Sequence, residues 1–307
     1  MPPTSEPWGI YRGTGRPGTG AGAGAWPGPP PWRLFDGGPD LPPPPDDPYA
    51  PVALGDGAKP FSTAPDEVAR VNAALSLGRP LLVTGAPGTG KSAVAHRIGR
   101  ELGLGRVLHW RITSLSTLQD GLYAGEGRLG PLGTAFLPYR RPRVLLIDRL
   151  DRAEITLADD VCTVFEAGGF TVPAGLTRVA TDDDPDTTVP VRGQVVRCHT
   201  FPVVVVTSSG ERDLPADLAG LCVSLPLSVP TRQTLRSIAE ARFPDGLEQD
   251  VLDAFLDRAE GSEGPAVRRL LDCLHLAAQG ALTPLAEDLG WQTAVDTVWQ
   301  WTATETP

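Results

Sequence analysis

The sequence lacks the features that mark several large classes of protein. Its four cysteines stand far apart without a Cys-x-x-Cys pair, which argues against a disulfide framework and against a zinc knuckle. No stretch approaches the roughly 20 apolar residues that cross a bilayer, and the start, MPPTSEPWGI, lacks the charged and apolar regions of a signal peptide. We therefore expect reduced, buried thiols, no membrane partner and a cytoplasmic location.

Clustered positive charge is also missing. The formal net charge is -10 at pH 7 and the sequence pI is about 4.9. A protein that holds nucleic acid without sequence preference binds its phosphates with clustered Lys and Arg side chains. We therefore expect no nucleic-acid partner.

Residues 1–60 are dominated by proline and glycine, in runs such as TGAGAGAWPGPPPW and LPPPPDD. Such a composition cannot bury enough apolar surface to fold alone, so we expect a mostly disordered leader over residues 1–60. A second interpretation is that the leader docks on the folded body or on a partner. The aromatic residues that favour docking are Trp8, Tyr11, Trp26, Trp32 and Phe35.

Residues 61–229 alternate short apolar runs with helical patterns. The runs predict buried strands at residues 80–85, 106–112, 144–148, 201–209 and 222–228. Helices are predicted between them, including residues 91–102, closed by Gly103, and residues 154–166. This alternation indicates an α/β domain built on a doubly wound parallel sheet.

Two further segments complete the predicted organisation. Residues 169–200 hold two β-like runs, FTVP and TVPVRGQVVRC, which predict a hairpin projecting from the core. The acidic run at residues 182–184 is expected to keep its loop soluble. Amphipathic patterns after Pro230 predict a helical lid over residues 230–307.

One motif carries specific chemistry, because a glycine-rich P-loop stands between a predicted strand and a predicted helix. Backbone N–H groups at a helix N-terminus hold phosphate, and Lys91 would reach the β and γ oxygens. The Ser92 hydroxyl would ligate magnesium, with Asp148 at the end of VLLID as the second anchor. No Asn-Lys-x-Asp segment follows to recognise guanine, so Mg²⁺-bound ATP is the expected ligand. The residues predicted to bind it are Gly85, Ala86, Pro87, Gly88, Thr89, Gly90, Lys91, Ser92 and Ala93.

With these features in order, the chain resembles an AAA+ ATPase, most closely the MoxR-like branch. The similar region runs from about residue 65 to 227 and includes LGRPLLVTGAPGTGKSAVAHRIGRELGLG and FPVVVVTSSGERDLP. The resemblance implies a three-layer α/β core with strand order 5-1-4-3-2, an α-helical lid over adenine and a hairpin before the sensor strand. It also implies ring assembly, from like or unlike subunits, and a protein partner, which in that branch carries an adhesion-type domain.

The chain departs from that family at positions that serve hydrolysis. The family's strand-ending Asp is followed by a Glu that activates water, but here Arg149 follows, and a guanidinium that stays protonated cannot act as a base. Ser209 replaces the sensor asparagine, and Gly220 and Leu221 stand where relatives carry a pair of arginines. Losing a base costs about 10² to 10⁴ in rate and losing an arginine finger about 10³ to 10⁵, so we expect impaired hydrolysis.

Other polar residues have less specific interpretations. Arg268 or Arg269, near the start of a C-terminal helix, would be the family's second sensor arginine, or else a solvated helix charge. The histidines, His109 among them, have no shared spacing for a metal and are expected to serve packing or the surface.

Three functions remain open from the sequence. The first is an ATP-binding regulator or remodelling component with weakened hydrolysis, acting beside a partner. The second is an active MoxR-like ATPase whose missing groups come from another subunit. The third is a proline-rich interaction scaffold in which the nucleotide serves stability only.

Overall fold

A five-stranded parallel sheet forms the centre of the molecule. The computed structural model describes residues 9–18, 26–38, 41, 47–55, 63–186, 188–243, 245–260 and 266–302. The strands are β1 (Leu81–Thr84), β2 (Leu108–Arg111), β3 (Val144–Asp148), β4 (Val203–Ser208) and β5 (Val223–Pro226). Their order in the sheet is β5-β1-β4-β3-β2, and each strand lies within one of the five predicted runs.

Helices surround this sheet and continue beyond it. Short 3-10 turns occur at Pro31–Arg33 and Leu150–Arg152. The helices are α1 (Ala50–Leu54), α2 (Pro65–Leu77), α3 (Lys91–Leu102), α4 (Leu118–Leu122), α5 (Pro131–Ala135), α6 (Ile155–Ala167), α7 (Ala216–Leu221), α8 (Arg232–Arg242), α9 (Gln249–Ala259), α10 (Ala266–Ala278), α11 (Leu282–Leu289) and α12 (Trp291–Trp301).

Successive strand residues point to opposite faces of the sheet, and both faces are apolar, as a buried parallel sheet requires. On one face α2 and α3 pack through Val71, Val83, Val94, Leu146 and Val205. On the other face α5 and α6 pack through Leu82, Leu132, Ile147, Phe165 and Val206. The result is a three-layer α/β P-loop fold with strand order 5-1-4-3-2 and a helical C-terminal region, which confirms the predicted fold class.

The helix after the P-loop has the predicted bounds, because a glycine ends it on each side. Gly90 precedes α3 with φ 89° and Gly103 follows it with φ 62°, both in the left-handed region that glycine adopts at little cost. The predicted helix at residues 154–166 is observed one residue later, as α6.

The hairpin segment lies against the body of the protein rather than projecting from it. Gly169–Thr171 pairs with Val195–Arg197, and Arg178–Ala180 pairs with Thr188–Pro190, in both cases antiparallel. Alternate valines along these strands share one apolar face, which is buried in the core beside α5 and α6. The valines are Val172, Val179, Val189 and Val196.

The acidic run in this hairpin is anchored, which corrects its interpretation as a solvated loop. Asp183 is 3% exposed at its side chain and accepts a 2.6 Å ion pair from the buried Arg143. The amide of Asp182 donates to Thr134 Oγ1 at 2.8 Å. A buried guanidinium needs a counter-charge, and Asp183 supplies it.

The parts of residues 1–60 that the structure describes make specific contacts with the body of the protein, as in the second interpretation of the leader. The backbone amides of residues 12–15 converge on the carboxylate of Glu101, at the end of α3. Gly13 and Gly15 have φ values of 76° and 63°, which turn successive amides toward one anion. Glu101 is fully buried, so these amides replace the water that its charge would otherwise bind.

A second contact holds the same segment against α2. Tyr11 is fully buried, and its backbone exchanges two hydrogen bonds with the Asn72 side chain at 2.9 and 2.8 Å. The signal that sequence composition missed is therefore a pair of buried polar side chains on the body, Asn72 and Glu101, whose partners come from the leader. Residues 1–8, 19–25, 39–40, 42–46 and 56–60 of the leader lie outside the described residues.

The C-terminal helices α8 to α12 enclose an apolar core of their own. Its buried members include Leu235, Leu252, Phe255, Leu270 and Val298. The four cysteines are buried and free, as expected. Within the described ranges, none of the helices has the length and apolar character to cross a membrane.

Candidate functional site

The P-loop turns tightly at the carboxyl end of β1. Gly85, Gly88 and Gly90 have φ values of 148°, 83° and 89°. A Cβ on Gly85 would lie 2.6 Å from the carbonyl oxygen of Leu227, so the backbone just after β5 lies too close to this residue for any side chain. The loop then enters α3, whose first N–H groups have no partner within the helix and point toward the loop.

Lys91 lies across the mouth of this loop. Its ammonium donates to the carbonyl oxygens of Gly85 at 2.7 Å and Ala86 at 2.9 Å. Burial lowers the pKa of Lys91, the charges of Asp151 and Asp148 oppose that shift, and the charge of Arg149 adds to it. The ammonium of Lys91 is thus bonded to two uncharged carbonyl oxygens. A phosphate in the loop would offer it stronger, charge-assisted hydrogen bonds instead.

Asp148, at the end of β3, is held in its ionised form. Ser92 and Thr207 donate their hydroxyls to Oδ1 at 2.8 and 2.7 Å, and His109 Nε2 lies 3.3 Å from Oδ2. Burial alone would raise the pKa of Asp148, but the hydrogen bonds from His109, Thr207 and Ser92 together lower it to about 2. The structure therefore brings together Ser92 and Asp148, the two side chains predicted to share magnesium.

Sequence reasoning missed the other two partners of Asp148. Thr207 lies on β4 and His109 on β2, the two strands that flank β3 in the sheet. Parallel neighbours end at the same edge, so polar residues near those strand ends converge on Asp148. His109 is therefore a contact of the site, not only a packing or surface residue.

Arg149 follows Asp148 in a left-handed conformation, with φ 66°. Its amide donates to Thr207 Oγ1 at 2.8 Å, so the threonine that binds Asp148 also fixes the backbone of Arg149. The guanidinium lies 3.0 Å from Glu211 Oε1, which Arg152 contacts at the same distance. The position expected to carry a water-activating carboxylate is thus occupied by a cation.

Asp151, two residues after Arg149, orders the loop after β4. It is 2% exposed, and its Oδ2 accepts the amides of Ser209 at 2.9 Å and Glu211 at 3.0 Å. Ser209 itself lines the cleft beside the P-loop. This oxygen of Asp151 is therefore committed to holding that loop.

A cleft of about 580 Å³ separates the P-loop from α10. Arg268 lines it, together with Arg242 from the end of α8 and Asp272. The neighbouring Arg269 instead stacks on the Trp299 ring at 4.2 Å. Of the two arginines considered as a sensor, the structure turns Arg268 toward the P-loop and Arg269 into the helical core.

A second cavity, of about 450 Å³, joins this cleft. The residues that line both are Gly90, Ala93, Arg242, Val267 and Leu271. Its walls include the segment after β5, Ile238 of α8, and Ala53 and Leu54 of α1.

Arg242 holds α1 in place at the wall of this second cavity. Its guanidinium donates to the carbonyl oxygens of Val52 and Ala53, at the end of α1. Burial lowers the pKa of Arg242. A segment of the supposedly disordered leader is thereby built into the cavity, and no local sequence pattern pointed to it.

Gly220 and Leu221, at the end of α7, line neither cavity. Their carbonyl oxygens accept hydrogen bonds from Arg79. They contribute no cation at the family's finger position. In the described part of the chain, no group of three or more His, Cys, Asp or Glu side chains is arranged to hold a metal unaided.

Comparisons with known proteins add little to this geometry. No family model matches the sequence, and no curated protein matches it. Among solved structures, a RuvB variant of Thermotoga maritima has a TM-score of 0.47 at 18% identity, covering 77% of this chain and 67% of its own. NtrX of Brucella abortus in complex with ATP has a TM-score of 0.43 at 14% identity, covering 73% of this chain and 51% of its own. Similarity this low does not identify a family, and the fold assignment follows from the observed strand order.

Proposed function

We propose that the protein binds ATP with magnesium in the P-loop cleft and hydrolyses it weakly, as an AAA+ protein of MoxR-like type. The observation that carries the proposal is the cluster of Lys91, Ser92 and Asp148 around the glycine loop, with Arg149 in the position of the base. Phosphate-holding groups are present, and the group that would activate water is replaced by one of opposite charge.

The phosphate end of the ligand fits the cations of the cleft. Lys91 would exchange the carbonyls of Gly85 and Ala86 for phosphate oxygens. Arg268 lines the same cleft and has no ion pair or hydrogen bond to another described residue. It is therefore available to a phosphate, which supports a sensor role over that of a solvated helix charge.

The donor set also fits magnesium bound between protein and phosphates. Ser92 and Asp148 offer a hydroxyl and an ionised carboxylate, 2.8 Å apart and both oxygen donors, as this hard cation prefers. Magnesium commonly takes one or two protein ligands and completes its shell with phosphates and water. When bound, it would neutralise phosphate charge and orient the terminal phosphate.

The joined cavity supplies a place for the base and sugar. It is predominantly apolar and begins where the P-loop cleft ends, at Gly90 and Ala93. Apolar walls come from Ile238 and from Ala53 and Leu54 in the leader. In this proposal the leader helix α1 is part of the nucleotide site.

From the family resemblance we extend the proposal to a nucleotide-dependent regulator or remodelling component acting beside a protein partner, in the cytoplasm. The leader segment at residues 11–15 contacts α2 and α3 of its own chain, which favours the ATP-binding function over the scaffold function. An active ATPase completed by another subunit is the alternative. It predicts partner-dependent ATP turnover that Lys91→Ala abolishes.

Calorimetric titration of the purified chain with Mg·ATP and with Mg·GTP tests the binding step. We expect saturable binding of one ATP per chain, tighter than that of GTP. A chain that binds neither nucleotide would contradict the proposal.

A further inference from the structure

Two arginines share one carboxylate at the edge of the cleft. Arg149 Nη2 and Arg152 Nη2 each lie 3.0 Å from Glu211 Oε1, and Arg152 Nε adds a contact at 3.3 Å. The side chains of Arg149 and Glu211 are 39% and 44% exposed. Arg149 lines the P-loop cleft, whereas Arg152 does not.

This arrangement makes Arg149 easy to release. Exposed ion pairs are weak, because water competes for both charges. Glu211 would keep both of its contacts with Arg152 if Arg149 left, so no carboxylate would be stranded without a cation. Lys91 and Arg242, which also line the cleft, donate to backbone carbonyl oxygens and not to a carboxylate that a second cation could keep neutralised.

The backbone of Arg149, in contrast, is fixed. A left-handed conformation is costly for a residue with a side chain, and it persists here because Thr207 accepts the Arg149 amide. Thr207 also donates its hydroxyl to Asp148, the predicted magnesium ligand. The backbone of Arg149 is therefore held at a fixed position relative to Asp148. Only the side chain of Arg149 is free to move.

The charge of the cleft favours such a movement when an anion enters. Lys91 and Arg149 are close enough for the charge of Arg149 to lower the pKa of Lys91. Each additional phosphate brings negative charge that relieves this repulsion. A triphosphate carries one more phosphate group than a diphosphate, and that group would enter the cleft where Ser92 of the P-loop meets Asp148 at the end of β3.

We infer that Arg149 distinguishes ATP from ADP by leaving Glu211 and binding the terminal phosphate. The inference rests on the proposed function and deepens it. The substitution that removes the catalytic base installs a phosphate-binding cation in its place. The site then recognises the triphosphate state instead of converting it.

Titration of the full-length protein with Mg·ADP and with the non-hydrolysable analogue Mg·AMPPNP tests this inference. Arg149→Ala should weaken triphosphate binding by roughly 10- to 100-fold, as expected for one or two lost charge-assisted hydrogen bonds, and change ADP affinity by less than about twofold. Arg152→Ala leaves Glu211 without a second cation, so Arg149 should be harder to release and the ratio of triphosphate to ADP affinity should fall, by about two- to fivefold. Arg212→Ala is the matched control, since Arg212 is an exposed arginine that pairs with Glu154 and does not line the cleft. Its ratio of triphosphate to ADP affinity should equal that of the wild type.

Two further variants separate this role from a structural one. Arg149→Gly suits the left-handed backbone and should reproduce the effect of Arg149→Ala without strain. Glu211→Gln removes the competing carboxylate and should tighten triphosphate binding alone, by about two- to fivefold.

Equal losses for both nucleotides, or no loss for either, in Arg149→Gly would overturn the inference while leaving ATP binding intact. A wild-type chain that binds neither ligand would overturn the proposed function as well.

Discussion

The two sides of the P-loop cleft differ in which groups they supply. The side proposed to hold phosphate, formed by residues 85–92 and Asp148 and called the phosphate side, has Lys91 bonded to the Gly85 carbonyl oxygen and Ser92 bonded to Asp148. The side proposed to hold the attacking water, formed by Arg149 and Ser209 and called the water side, has neither a carboxylate nor an amide side chain. Holding a phosphate depends largely on backbone geometry, whereas cleaving it depends on a few particular side chains.

The largest expected effect is a loss of ATP affinity on substitution of Lys91, on the phosphate side. Lys91→Ala should lower ATP affinity by about 100-fold or more, because the cation at the mouth of the loop is lost with its charge-assisted bonds. Calorimetry measures the loss, and thermal unfolding checks that the fold is retained. Unchanged affinity would mean that the nucleotide binds elsewhere.

A carboxylate at position 149, on the water side, should increase the rate of ATP hydrolysis. Arg149→Glu should raise the single-turnover rate at saturating ATP by about 10- to 100-fold, since a general base contributes at least about 10² when the other groups are in place. Arg149→Gln is the matched control, because it removes the cation without supplying a base. Equal rates for the two variants would show that the missing base does not limit turnover.

The effect of magnesium on ATP affinity tests the role of Asp148 on the phosphate side. In the wild type, magnesium should tighten ATP binding by about tenfold, and Asp148→Asn should remove that dependence with the loss of the ionised ligand. Asp272→Asn, which changes another acid of the cleft that does not contact Ser92, should retain it. Titration with magnesium and with EDTA measures both, and a magnesium effect that survives in Asp148→Asn counts against this anchor.

The smallest expected effect concerns the base cavity. Deleting residues 1–55 should weaken ATP and ADP binding equally, by several-fold relative to deleting residues 1–46, because only the longer deletion removes α1 and the apolar contacts of Ala53 and Leu54. If the two deletions differed in ATP affinity but not in ADP affinity, α1 would act on the terminal phosphate and not on the base and sugar.

The sequence predicted the parts of this molecule that local pattern determines. The unbroken apolar runs identified the five strands, and Gly90 and Gly103 delimited α3. The strand order came from the family resemblance and matches the structure. Lys91, Ser92 and Asp148 were identifiable because the P-loop and the strand after it have recognisable local signatures.

The contacts that sequence analysis missed are made between distant segments. Thr207 and His109 reach Asp148 because β4 and β2 flank β3, an adjacency that depends on register. The leader is ordered where buried polar groups of the body, such as Glu101, require its amides. Composition describes what a segment can bury alone, and it does not include the partners that a folded body offers.

A single-turnover experiment with radiolabelled Mg·ATP and excess wild-type protein tests the central claim most directly. The account predicts that bound nucleotide is recovered as ATP long after an ordinary ATPase, with rates of about 1 s⁻¹ or more, would have converted it. Conversion of the bound ATP to ADP at such a rate by the purified chain alone would contradict it.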